Sequence, residues 1–350
     1  MSVMLTLGRG GVRPRRVTWS RGRPEIATTP EESEPAGGIL TPGFVDLHIH
    51  GAFGIDFMEA SGGDMARLCD GLADEGYEAF LPTTVSATLE GVAAALAQLQ
   101  AHPMIRGFHL EGPFLSPEYP GAQPLEAIIA PPVGHSSWDA IVDDPRLRVV
   151  TLAPERSGGL ALIARLARRG VHVSMGHSNA TVAQARAGAL AGARGVTHTF
   201  NAMRQFHHRD PGLVGVALTD RDLVTELIYD RVHVAKEAAG ALLACKGKRA
   251  IVAVSDGTKA SGLAEKTKLS MWGHDCVVGK GDVRLVSSGA LAGSAITLRN
   301  AFRILAEDFG LDAAIRACCV NPRRVLGIRG EPALWLEFGL DYSLRKIHRA

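Results

Sequence analysis

Apolar and polar positions along the chain fall into two alternating patterns. Short apolar runs suited to buried strands occupy 44–50, 79–84, 105–111, 148–153, 171–177, 195–201, 224–229 and 250–255. Between several of them lie Ala- and Leu-rich stretches with a period near 3.6 residues, at 64–75, 89–101, 159–169, 181–191 and 235–245. Several of these close near a glycine: Gly76, Gly170 or Gly192. Alternating strand and helix signals imply a parallel sheet, because each crossover needs roughly a helix's length of chain. Eight such strands over about 210 residues suggest an α/β fold of closed (β/α)8 type, a TIM-type barrel. Stretches 295–309 and 311–319 read as closing helices. Short β-type runs at 3–7, 17–19 and 333–338 fall outside the repeat and predict a small β-sandwich appendage built from both termini. The expected division is 1–40 and 327–350 for the appendage and 41–326 for the barrel.

Composition narrows the function class. The 350 residues are 46% hydrophobic and carry a formal charge of +2, so a large core is expected and a nucleic-acid partner is not. Arg13, Arg15, Arg16, Arg21 and Arg23 form the one basic stretch, which reads as a solvated hairpin face. The five cysteines form no C-x-x-C pair and read as reduced, mostly buried small hydrophobes. No apolar run reaches the length of a membrane span, and 3–7 is too short for a signal-peptide core, so a cytoplasmic location is expected.

The chemistry lies at the strand ends, where barrels of this kind build their active sites. The first strand ends in His48 and His50, the third in Glu111, the fifth in His177 and the eighth in Asp256, while the sixth carries His198. Any one of these residues has a bland reading: a satisfied histidine, a buried ion-pair partner or a helix N-cap. Their convergence on one rim does not. Neutral imidazoles with a carboxylate hold one or two divalent ions and leave a position open for water. Zinc, iron, manganese and cobalt all tolerate this set. Asp256 is the candidate general acid/base. His109 faces the same side as Glu111 and is left without a role. The long proline-rich connection 113–145 is a candidate functional loop.

Several segments resemble the N-acetylglucosamine-6-phosphate deacetylase family of the amidohydrolase superfamily. They are the run from Pro42 to Gly51, His109-Leu-Glu-Gly-Pro-Phe-Leu115, Gly121-Ala-Gln-Pro124, Met175-Gly-His-Ser-Asn-Ala180, Thr197-His-Thr-Phe-Asn-Ala-Met203, His207-His-Arg-Asp-Pro-Gly212, Val254-Ser-Asp256 and Leu291-Ala-Gly-Ser294. They run in family order over roughly residues 40 to 327. The resemblance implies a metal on Glu111, His177 and His198, with a second on His48 and His50 as in the binuclear branch. It implies Asp256 as acid/base and sugar contacts from Asn201 and Ala202. It also implies phosphate binding by Arg209 and His233, Gln123 beside Ala122 near the acetyl carbonyl, and an acetyl pocket lined by the loop Leu291, Ala292 and Gly293. The implied substrate is an amino-sugar phosphate, and the implied assembly is a homodimer. Deacetylation of the galactosamine epimer or of another small N-acyl substrate stays open, as does a non-catalytic sugar-phosphate-binding regulator. Two departures stand out: Arg231, which adds a cation near the expected phosphate pocket, and a divergent ending after Gly327.

Overall fold

The protein is described from a computed structural model covering residues 2–8, 10–20, 22–28 and 37–349; Arg21 of the basic stretch lies outside them. Eight parallel strands form the barrel: Phe44–Ile49, Tyr77–Pro82, Phe108–Glu111, Leu147–Leu152, His172–Met175, Gly195–Val196, Val224–Ile228 and Ile251–Val254. The last six pair in sequence order as one sheet, and the first two pair with each other. Bridges from Thr83 to His109 and from Ile49 to Gly257 close the ring. Every residue of Phe44–Ile49, Tyr77–Pro82 and Ile251–Val254 is buried, as expected of strands covered on both faces. Val45, Leu47, Ala79, Leu81, Val149, Ile228, Val252 and Val254, drawn from five different strands, pack together as the barrel interior. A larger cluster, including Phe80, Leu110, Val150, Leu162 and Ile163, seats the helices outside.

Helix starts follow side-chain chemistry. Ser61 with Asp64, and Thr181 with Gln184, form capping boxes that satisfy orphan amides at the starts of Gly62–Asp74 and Val182–Ala191. The strand expected at 195–201 is a correction: it stops at Val196, because the chain turns at His198 and Phe200, whose φ values are 25° and 83°. The third strand begins at Phe108 rather than 105, after Gly107 takes a φ of 117°. The second helix ends at Ala97, short of the expected 101.

Two sheets flank the barrel. Ser2–Gly8, Gly11–Ser20, Arg23–Thr28, Ile39–Pro42, Leu334–Phe338 and Leu344–Arg349 form a six-stranded sheet from both termini. The divergent ending thus supplies a hairpin whose inner strand pairs antiparallel with Ile39–Pro42. An ion pair between buried Glu78 and Arg323 ties the second barrel strand to a closing helix; Glu78 also accepts from the Ala333 amide at 3.2 Å. A second antiparallel sheet was not foreseen: Lys268–Met271, His274–Val278, Asp282–Leu285 and Leu291–Ser294, inserted between the eighth strand and helix Leu298–Phe309. The expected loop at 291–293 is therefore a strand, joined to the site by a bridge from Ser294 to Gly257.

Candidate active site

The six residues expected at the strand ends meet in one mouth. Glu111 is the last residue of its strand, and His177, His198 and Asp256 each stand two residues past theirs. Those three have φ values of 45°, 25° and 45°, a left-handed conformation that side chains rarely adopt. It turns each side chain off the strand direction into the barrel mouth. Non-glycine strain of this kind, of order 1–3 kcal/mol each, concentrates at functional sites.

Glu111 is the hub. Its Oε1 lies 3.3 Å from His48 Nε2 and 3.2 Å from both His177 Nε2 and His198 Nε2. Its Oε2 lies 3.3 Å from His50 Nε2. Asp256 Oδ1 lies 3.3 and 3.2 Å from His48 and His50 Nε2. The sites His48–His50–Glu111 and Glu111–His177–His198 are each a buried triplet that could hold an ion. The tautomers support this. His50 Nδ1 donates to the Thr83 carbonyl at 3.1 Å and His177 Nδ1 to the Tyr119 carbonyl at 3.0 Å, since a carbonyl can only accept. His48 Nδ1 faces Glu226 Oε2 at 3.3 Å. In the neutral rings Nε2 is then a bare lone pair aimed inward. Yet His48 and His50 Nε2 are 3.3 Å apart, and His177 and His198 Nε2 3.0 Å. The bare lone pairs of His48 and His50, at that separation, need a cation between them, whereas His198 Nδ1 has no partner among the described residues, so its Nε2 can carry the ring proton. A tetrahedral ion with bonds of about 2.0–2.1 Å has ligand edges of about 3.3 Å, so the residues fit the group.

The electrostatics agree. Burial disfavours the charged form of Glu111, but the imidazoles of His48 and His177 outweigh it and hold its carboxyl well below the usual range. Asp256 is held at about 2, against burial, chiefly by His48 and His50. Burial also opposes the charge on His50, but bonds to Asp256 and Glu111 lift it to about 9. The cluster thus demands positive charge, whether from protons or from metal.

The remaining candidates divide. Ala122, Gln123, Asn201, Ala202, His233, Leu291 and Gly293 line one cleft together with His50, Glu111, His177, His198 and Asp256. Gln123 is tied down: its Nε2 donates to Glu111 Oε2 at 2.6 Å and its Oε1 accepts from the Ser86 amide at 2.7 Å. His233 Nδ1 binds Asp230 Oδ2 at 2.6 Å. Ala292 faces away, packing with Met271, Val278 and Val283, because strand neighbours point to opposite faces. Arg209 is exposed outside the cleft lining, its Nη1 3.0 Å from His208 Nε2. Arg231, expected as a cation near the phosphate pocket, is instead engaged by Glu307 at 3.0 Å and Asp308 at 2.7 Å. His109 is structural, bonded to the Leu47 carbonyl and to Thr151 Oγ1.

Sequence reasoning missed Glu226 and Trp272. Glu226 is 2% exposed and also accepts from the His198 amide at 3.3 Å. An acidic residue inside the apolar run Val224–Ile228 was the available signal. Trp272 comes from the unforeseen sheet and had none.

A closed parallel barrel gathering four histidines and two carboxylates at one rim is the architecture of a metal-dependent hydrolase. The amidohydrolase family profile matches residues 39–331, and the chain belongs to that family. It is 36% identical over 87% of its length to N-acetylgalactosamine-6-phosphate deacetylase of Escherichia coli O157:H7, covering 81% of that protein. It is likewise 36% identical to N-acetylglucosamine-6-phosphate deacetylase of Bacillus subtilis, over 83% of this chain and 75% of that one. Among solved structures, a variant of N-acetyl-D-glucosamine-6-phosphate deacetylase from Mycobacterium smegmatis, in complex with N-acetyl-D-glucosamine-6-phosphate, matches at 30% identity with a TM-score of 0.89, covering 100% of this chain and 98% of that one. The Thermotoga maritima deacetylase matches at 28% identity and a TM-score of 0.88, covering 100% and 97%. No helix among the described residues is long and apolar enough to cross a membrane.

Proposed function

We propose that the chain hydrolyses N-acetylglucosamine 6-phosphate to glucosamine 6-phosphate and acetate, in the breakdown of amino sugars. The observation that carries this reading is the Glu111-centred cluster opening into a cleft lined by Asn201, His233 and Asp256. Glu111, His177 and His198 would hold one divalent ion and His48, His50 and Glu111 a second. Bound there, such an ion supplies Lewis-acid polarisation of the amide carbonyl and acidifies a water. Asp256, ionised at neutral pH, takes the proton of the attacking water at its carboxylate. The C–O bond forms, the C–N bond breaks, and Asp256 returns the proton to the departing amine. Gln123 holds Glu111 in place through its 2.6 Å bond. His233, anchored by Asp230, presents its free Nε2 to the phosphate. Arg209 serves the phosphate as a fork-shaped donor in a homodimer or on closure of its loop.

The same site supports one second reading. A relative 36% identical is named for the galactosamine epimer, so the 4-hydroxyl is the open specificity question. Acetate release from the two N-acetylhexosamine 6-phosphates and from unphosphorylated N-acetylglucosamine tests both. The gluco phosphate is expected to give the highest kcat/KM and the free sugar very little. Release of no acetate from any of them, by protein with metal bound, would refute the deacetylase reading.

A further inference from the structure

The inserted sheet places an aromatic wall at the reacting centre. Trp272 sits in the turn between Lys268–Met271 and His274–Val278, with a φ of 52°. Its indole Nε1 donates to Asp56 Oδ2 at 2.9 Å. Asp56 is 3% exposed, and its other oxygen accepts from the Met58 amide at 2.9 Å, so the acceptor is fixed. The ring meets the His50 ring edge-on, with centroids 5.2 Å apart and planes at 72°. It also lines the cleft, as do Asp256, Leu291 and Gly293. A bulky side chain is thus held, by a partly buried hydrogen bond to a buried carboxylate, against His50.

Resting on the deacetylase reading, we propose that Trp272 sets the acyl-chain length of the substrate, admitting acetyl and excluding longer acyl groups. The scissile carbonyl carbon carries an oxygen, a nitrogen and an alkyl group. The oxygen belongs with the polar cluster, and the nitrogen leads to the sugar. The alkyl group must then meet an apolar surface beside His50 and Asp256. Trp272, in edge contact with the His50 ring, is the large apolar side chain placed there, and Leu291 and Ile228 line the same cleft. The Asp56 bond denies the ring the freedom to swing aside for a longer chain.

The test compares N-acetyl-, N-propionyl- and N-butyrylglucosamine 6-phosphate as substrates of the metal-loaded enzyme, for the wild type, Trp272→Ala, Trp272→Phe and Asp56→Leu. Each added methylene in a tight pocket is worth at least about tenfold in kcat/KM. The wild type is expected to fall by that factor at each step. Trp272→Ala is expected to raise the butyryl-to-acetyl ratio by about tenfold or more. Asp56→Leu, which frees the ring, and Trp272→Phe, which shrinks it, are expected to lie between. A folded, metal-loaded Trp272→Ala with the wild-type ratio overturns the proposal. If that variant does not fold, the wild-type profile still decides: equal use of acetyl and butyryl substrates overturns it. A wild type active on acetyl but not selective refutes the role of Trp272 alone, whereas a wild type releasing no acetate refutes the deacetylase reading itself.

Discussion

Replacing Asp256 by asparagine separates proton transfer from metal and substrate binding. The exchange keeps size and shape and removes one buried negative charge, 3.2–3.3 Å from His48 and His50 Nε2. The ion-holding triplets do not include Asp256, so metal per chain is expected to stay at the wild-type value. The amide oxygen can still accept, but it cannot take a proton from water or return one to the amine. General acid–base catalysis contributes about 10²–10⁴-fold, so kcat is expected to drop by about 10³, or roughly 4 kcal/mol of barrier. KM is expected to change little, because the cleft lining is otherwise intact. Single-turnover acetate release, with metal analysis on the same sample, reads both quantities. Turnover near wild type would refute the assigned role. A loss of metal parallel to the loss of rate would instead make Asp256 a ligand.

Further outcomes follow from neighbouring geometry. Glu226→Gln leaves His48 Nδ1 without a carboxylate partner, and metal affinity is expected to fall about 10–100-fold by competition with a chelating dye; unchanged affinity would deny Glu226 an orienting role. Glu78→Gln leaves Arg323 buried without its counter-charge, with an expected loss of about 3–5 kcal/mol in denaturant unfolding; a loss under about 1 kcal/mol would show that water reaches the pair. The metal-free protein should show a pH window to which His50 and His48 both contribute, each raised, against burial, by Glu111 and Asp256. The folded value of about 9 for His50 lies above the unfolded 6.5, so its stabilisation is complete below about pH 6.5 and is lost as pH rises through about 9. In the metal-loaded protein the imidazoles are neutral ligands, so the gap in Tm between loaded and stripped protein should widen from pH 6.5 to 9; a constant gap would contradict the account.

The barrel was legible because parallel strands buried on both faces read as mainly apolar runs: Ile251–Val254 is wholly apolar, and Phe44–Ile49 is interrupted only by Asp46 and His48. The convergence of His48, His50, Glu111, His177, His198 and Asp256 was legible because side chains at the strand ends of such a barrel meet at one rim. What failed was local. His198 was placed on a strand because 195–201 reads as a short β-type run, whereas the chain leaves the extended conformation after Val196. The inserted sheet hid because its strands are half exposed and carry Lys268, Asp275 and Arg284, so no apolar run marks them. With it went Trp272 and the orientation of Ala292. The ion pairs of Arg231 were hidden for another reason. Its partners Glu307 and Asp308 lie far along the chain, and sequence spacing does not show which acidic residues a guanidinium will meet.

The central claim is that the Glu111-centred cluster is a metal centre that drives amide hydrolysis. Its most direct test strips the protein with a chelator, titrates a divalent metal back, and follows acetate release from N-acetylglucosamine 6-phosphate alongside bound metal per chain. The account predicts that activity is lost on stripping and returns in proportion to metal bound, saturating at one or two ions per chain. Full turnover by the stripped protein would contradict it.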